Sequence, residues 1–133
     1  MNTLALTPDA RRLTPPGVPP DWLSDQARQR PAAPAVITRE STLTYAELDA
    51  RASTLADALV GAGVTRGEPV AARLPLTVDS VVAVHAVARV GAVLVPLNLR
   101  LTPDEAAWQM GHVGARCLIA DGIIEKDTGV EPG

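Results

Sequence analysis

The chain of 133 residues is 47% hydrophobic and 20% charged, a balance that supports one modest domain with its own core. Its 15 acidic and 12 basic residues are mixed along the sequence and leave a formal charge of -3, so no Lys/Arg block exists to track a phosphate backbone, and nucleic acid is excluded as a partner. Cys117 stands alone, which rules out an internal disulfide and fits a reducing cytoplasm, and with Trp22, Trp108 and Tyr45 as the only aromatics, Ala, Val and Leu must fill the interior.

Residues 1–20 end in PPGVPP and read as a flexible proline-rich leader; Asp9, Arg11 and Arg12 fall where an export signal needs an unbroken apolar run. Asp21 then caps a short helix from Trp22 to Arg30, with Trp22, Leu23 and Ala27 on one side and Pro31 at its end. Ala35 to Thr38 and Leu43 to Thr44 bracket Arg39, Glu40 and Ser41 as a small hairpin. TYAE, Thr44 to Glu47, is a capping box, and Leu48, Ala52, Leu55, Ala56 and Leu59 follow at helical spacing. Gly61 to Gly63 stop that helix.

A strand over Val70 to Arg73 leads through LPLTVDS into a helix over Val78 to Arg89. At Gly91 this gives way to the strand Ala92 to Val95, whose lack of polar alternation suits cover on both faces. Thr102, Pro103 and Glu105 start a further helix that runs to His112, in which Trp108 is expected to face the sheet and broaden an apolar side made of Ala106, Ala107, Met110 and Val113. After Gly114 comes the strand Arg116 to Ala120. Helices alternating with short apolar strands define an α/β fold of mostly parallel strands joined by crossover helices. The expected organisation is a leader over 1–20, a partial domain over 21–121 and an irregular tail over 122–133.

The most apolar run, VVAVHAVARVGAVLVPL from Val81 to Leu97, is interrupted by His85, Arg89 and Pro96, so it reads as a buried helix and strand and not as a membrane span. GAG at 61–63 follows a helix and has Arg66 where a dinucleotide loop needs its last glycine, so it is a helix end. No G-x-x-x-x-G-K-S/T occurs, and Lys126 is the single lysine. His85 and His112 lack paired ligand spacing; Cys117 is a reactive thiol or, by default, a small core side chain; Asp79, Asp104 and Glu47 have helix-start roles. No catalytic, cofactor-binding or metal residue is assigned.

LTYAEL (43–48), GVTRGEPVA (63–71) and ARVGAVLVPLN (88–98) together resemble the start of the adenylate-forming, or AMP-binding, acyl-CoA synthetase superfamily. NLRLTPDE, WQM at 108–110 and ARCLIAD at 115–121 are most similar to the CoA ligases, o-succinylbenzoate-CoA ligases of menaquinone synthesis above all. Asn98 stands where peptide-synthetase domains usually carry Asp, and Leu76 departs from a frequent family Asn.

The resemblance implies an N-terminal partial domain of an enzyme that joins a carboxylate to AMP and then to CoA, using ATP, Mg²⁺ and CoA. The family's nucleotide- and acid-binding motifs lie beyond these residues, so the chain alone is expected to be inactive and to need no cofactor. Its expected partner is the remainder of the enzyme as a separate chain, and it is expected to self-associate when expressed alone. The alternative is a small autonomous binding or regulatory protein on the same half-fold.

Overall fold

A computed structural model describes residues 21–120 and 123–126; the leader expected over 1–20 lies outside them. Asp21 accepts the Ser24 amide at 3.0 Å and opens helix α1, Trp22–Gln29. Of the side expected to be buried, Leu23 is buried and Ala27 half-buried, and Trp22 remains exposed. Strands β1 (Pro34–Ile37) and β2 (Thr42–Thr44) form the antiparallel hairpin, with Val36 opposite Leu43. Helix α2 (Tyr45–Gly61) begins at the capping box read from TYAE: the Thr44 amide donates to Glu47 at 2.8 Å, and the Glu47 amide donates to Thr44 Oγ1 at 3.1 Å. Leu48, Ala52, Ala56 and Leu59 of its stripe are buried.

Four strands make the main sheet: β3 (Pro69–Arg73), β4 (Val93–Pro96), β5 (Cys117–Ala120) and β6 (Ile123–Lys126), in the spatial order β4-β3-β5-β6. Helix α3 (Val78–Val90) carries the chain from β3 to β4, and α4 (Pro103–Val113) carries it past β3 to β5. Parallel register sets Val70 beside Leu94 on one flank and beside Cys117 on the other. Gly91 and Gly114 end α3 and α4 at φ 80° and 75°, a backbone region that a side chain resists.

Because side chains alternate along β3, Val70 and Ala72 face one layer and Ala71 the other. Val70, Ala72, Cys117 and Ile119 pack under Ala56 and Leu59 of α2 and Ala83, Ala86 and Val87 of α3. Ala71 meets Leu97, Ala106 and Ala115, so α4 covers the opposite face. A third cluster, Leu23, Leu48, Ala52 and Val82, fastens α1 onto α2 and α3. Alanines at these seams let helices lie close to the sheet, while each fully covered larger side chain such as Leu59 contributes about 1.5–3 kcal/mol.

Three expectations are corrected. The strand placed over 92–95 is not central: β4 is outermost and Val93 is 52% exposed, although Leu94 packs on the α2–α3 face and Val95 on the α4 face. The tail expected to be irregular contains β6, antiparallel to β5 with Ile119 opposite Ile124. Trp108 does not face the sheet. It is 67% exposed and stacks on His112, the ring centroids 5.0 Å apart. Trp108 lies two positions on from buried Ala106, about 200° around a helix, so one of the two must point outward. Among the described residues no helix is long and apolar enough to cross a membrane.

Candidate functional site

In open α/β sheets ligands bind beyond the carboxyl ends of the strands, where successive connections leave to opposite faces. Here that place lies between β3 and β4, since α3 and α4 cover different faces. The two loops there are Leu74 to Thr77 and Leu97 to Thr102. Arg73, the last residue of β3, reaches across and donates from Nη2 to the carbonyl oxygens of Leu99 (3.0 Å) and Leu101 (3.2 Å). Leu97 is buried and its amide donates to the Ala72 carbonyl at 2.8 Å; Asn98 Oδ1 accepts the Arg100 amide at 2.8 Å and tightens the turn. The crevice is thus bridged by one guanidinium that ties down the loop after β4 and whose buried Nε has no partner among the described residues.

Both helices that leave this edge close their own amino ends. Thr77 Oγ1 accepts the Asp79 amide at 3.2 Å, and the Thr77 amide donates to Ser80 Oγ. Thr102 Oγ1 accepts the Glu105 amide at 3.2 Å, and the Thr102 amide donates to Glu105 at 2.8 Å, which holds the Glu105 carboxyl below its usual range. Free amides and a positive helix end are what a phosphate requires, and here each cap side chain takes one of those amides. The positive-φ glycines among the described residues, Gly63, Gly67, Gly91 and Gly114, lie on helix-to-strand connections and not on strand-to-helix loops. These residues do not fit ATP, and no group of three His, Cys, Asp or Glu among them is placed to hold a metal ion.

A second feature sits beside that edge. A cavity of about 520 Å³ opens between α2 and the β5–β6 half of the sheet, lined by Leu55, Leu74, Val82, Ile119 and Ile124, with Ala50, Thr54 and Ala58 along its α2 wall. At its rim Arg51 and Asp79 are paired at 2.5 Å, each about half exposed.

The residues weighed from sequence are dispersed. Cys117 is fully buried in the core, His112 lies on the outer side of α4, and Glu47 caps α2. Asp104 lies in the first turn of α4, and Gly61 is the last residue of α2. Half-buried His85 lies near Asp21 and Arg89; burial and the neighbouring guanidinium lower its pKa.

Arg89 itself was missed as a structural centre. Its Nε donates to Asp21 at 2.9 Å, Nη1 donates to the Asp49 carbonyl at 3.1 Å and to Ser53 Oγ at 2.9 Å, and Nη2 pairs with the Asp49 carboxylate. Burial works against these charges, yet the Ser24 amide and Arg89 leave Asp21 with a lowered pKa, and Asp49 and Asp21 leave Arg89 with a raised one. A lone arginine inside an apolar helix was the available signal; its partners lie too far off in sequence to be read.

Several known proteins are similar to this chain. A family model described as "AMP-binding enzyme" matches residues 23–132. A 2-succinylbenzoate–CoA ligase of Bacillus anthracis (strain A0248) is 34% identical over 112 residues, which are 84% of this chain and 23% of that protein. Malpibaldin synthetase of Mortierella alpina is 39% identical over 95 residues, 71% of this chain and 2% of that protein. Among solved structures, the unliganded O-succinylbenzoate coenzyme A synthetase from Bacillus subtilis superposes with a TM-score of 0.71 at 33% identity, covering 77% of this chain and 23% of that one. The chain therefore spans about a quarter or less of the length of these relatives.

Proposed function

The chain belongs to the AMP-binding enzyme family, and from that premise we propose that it is the N-terminal module of a cytoplasmic, ATP-dependent carboxylate–CoA ligase of the 2-succinylbenzoate type. In that reaction the carboxylate oxygen attacks the α-phosphorus of ATP and pyrophosphate leaves. The CoA sulfur then bonds to the acyl carbon, AMP leaves, and the thiol proton is released. The observation that carries the reading is the match across nearly all described residues to a fraction of each ligase. The module's part is mechanical. Arg73 sets the loop after β4, Arg89 sets α1 against α2 and α3, and the sheet supplies a base on which the reacting groups of the larger enzyme rest.

Residues 1–133 by themselves are proposed to be inactive, with ATP, Mg²⁺ and CoA held by the remainder. The test is a chimera in which residues 21–126 replace the matched stretch of the Bacillus anthracis ligase. It is expected to form acyl-adenylate from 2-succinylbenzoate and ATP. A folded chimera that adenylates neither this acid nor other carboxylates overturns the reading.

A further inference from the structure

We infer that the groove between α2 and the β5–β6 half of the sheet is the seat of one amphipathic α-helix from the part of the enzyme that follows this module; this rests on the module reading above. The sheet face on that side is covered unevenly. Helices α2 and α3 press on β3, β4 and β5, but Ile119 and its cross-strand neighbour Ile124 still line an open apolar cavity of about 520 Å³. The outer edge of β6 is unpaired among the described residues. A parallel strand added past such an edge needs a crossover across a face, and among the described residues the open place in the helix layer is beside α2.

The α2 wall suits a helix. Ala50, Thr54 and Ala58 recur every four residues, so a second helix can approach to the short end of the usual 8–10 Å spacing. The floor, half-buried Leu55, Leu74 and Ile124 above buried Ile119 and Val82, calls for an apolar stripe on the occupant. The Arg51–Asp79 pair at the rim calls for polar residues at its border. Length outside the structure is ample, since the chain spans 23% of the Bacillus anthracis ligase.

The experiment compares thiol reactivity in the 133-residue chain and in the chimera described above. Thr54→Cys and Ala58→Cys probe the groove, Gln109→Cys on exposed α4 is the control, and the parent chain gives the background from buried Cys117. Maleimide labelling at 54 and 58 is expected to slow by at least roughly tenfold in the chimera, with position 109 unchanged, because a covered thiol reacts only when the site opens. Benzophenone attached at 58 is expected to cross-link to downstream residues three or four apart, the spacing of one helix face.

Unchanged labelling, or cross-links at every second residue as from a strand, overturns the inference. Adenylation by the chimera is scored separately. An active chimera whose groove stays reactive defeats this inference and leaves the module reading standing, whereas an inactive chimera with a closed groove does the reverse.

Discussion

Arg89 holds three helices with one planar group, and its removal leaves Asp21 and Asp49 without their cation. Its partners keep some solvent access, so Arg89→Ala is expected to lower stability by about 1–3 kcal/mol, less than for a fully buried pair. Arg89→Lys is expected to recover only part of this, because an ammonium cannot span the same three directions; urea unfolding of both variants checks it. His85 adds a pH dependence. Burial, then Arg89, lowers its pKa in the fold, so its contribution to stability is complete above the unfolded value near 6.5 and is lost as pH falls through the folded value. Asp21 is also lowered and loses its contribution at still lower pH, below about 4. His85→Gln is therefore expected to flatten the stability profile just below pH 6.5 while leaving the more acid limb; an unchanged profile contradicts this.

At the scale of elements, the glycine caps give a paired comparison. Gly91 and Gly114 share a positive φ, but a Cβ at 91 meets Arg66 Cγ at 3.0 Å whereas one at 114 meets nothing within 4 Å. Gly114→Ala is expected to cost about 1–2 kcal/mol from backbone strain alone, and Gly91→Ala more by whatever Arg66 must yield. Equal midpoint shifts in urea contradict the contact. Trp108→Ala is expected to move stability by less than about 1 kcal/mol, since only its stack on His112 is lost.

The elements themselves were legible because their punctuation is local: TYAE, LTPDE, Gly91 and Gly114 each act within four residues. Sheet order was not, because β6 is a four-residue run with no periodic signal and β4 is apolar although it lies at an edge. The Asp21–Arg89 contact spans 68 residues, beyond any pattern read along the chain. For the site, the crossing of Arg73 to the loop after β4 depends on parallel register and was not readable.

For the whole molecule, the open groove, the edges of β4 and β6 that are unpaired among the described residues, and exposed Leu76 and Leu99 beside the carboxyl edge leave apolar surface in contact with water. A net charge of -3 gives little repulsion between copies. The isolated chain is expected to sediment with concentration-dependent association and to unfold broadly; a monomer with a sharp reversible transition above about 60 °C favours an autonomous protein instead.

The central proposal is that these residues serve as scaffold for a ligase and hold no adenylation site of their own, with Thr77 and Thr102 capping the helices that leave the strand carboxyl edge. ATP–pyrophosphate exchange by the purified 133-residue chain, with 2-succinylbenzoate and Mg²⁺, tests it most directly: no exchange above the protein-free blank is predicted, and carboxylate-dependent exchange that persists through purification contradicts the account.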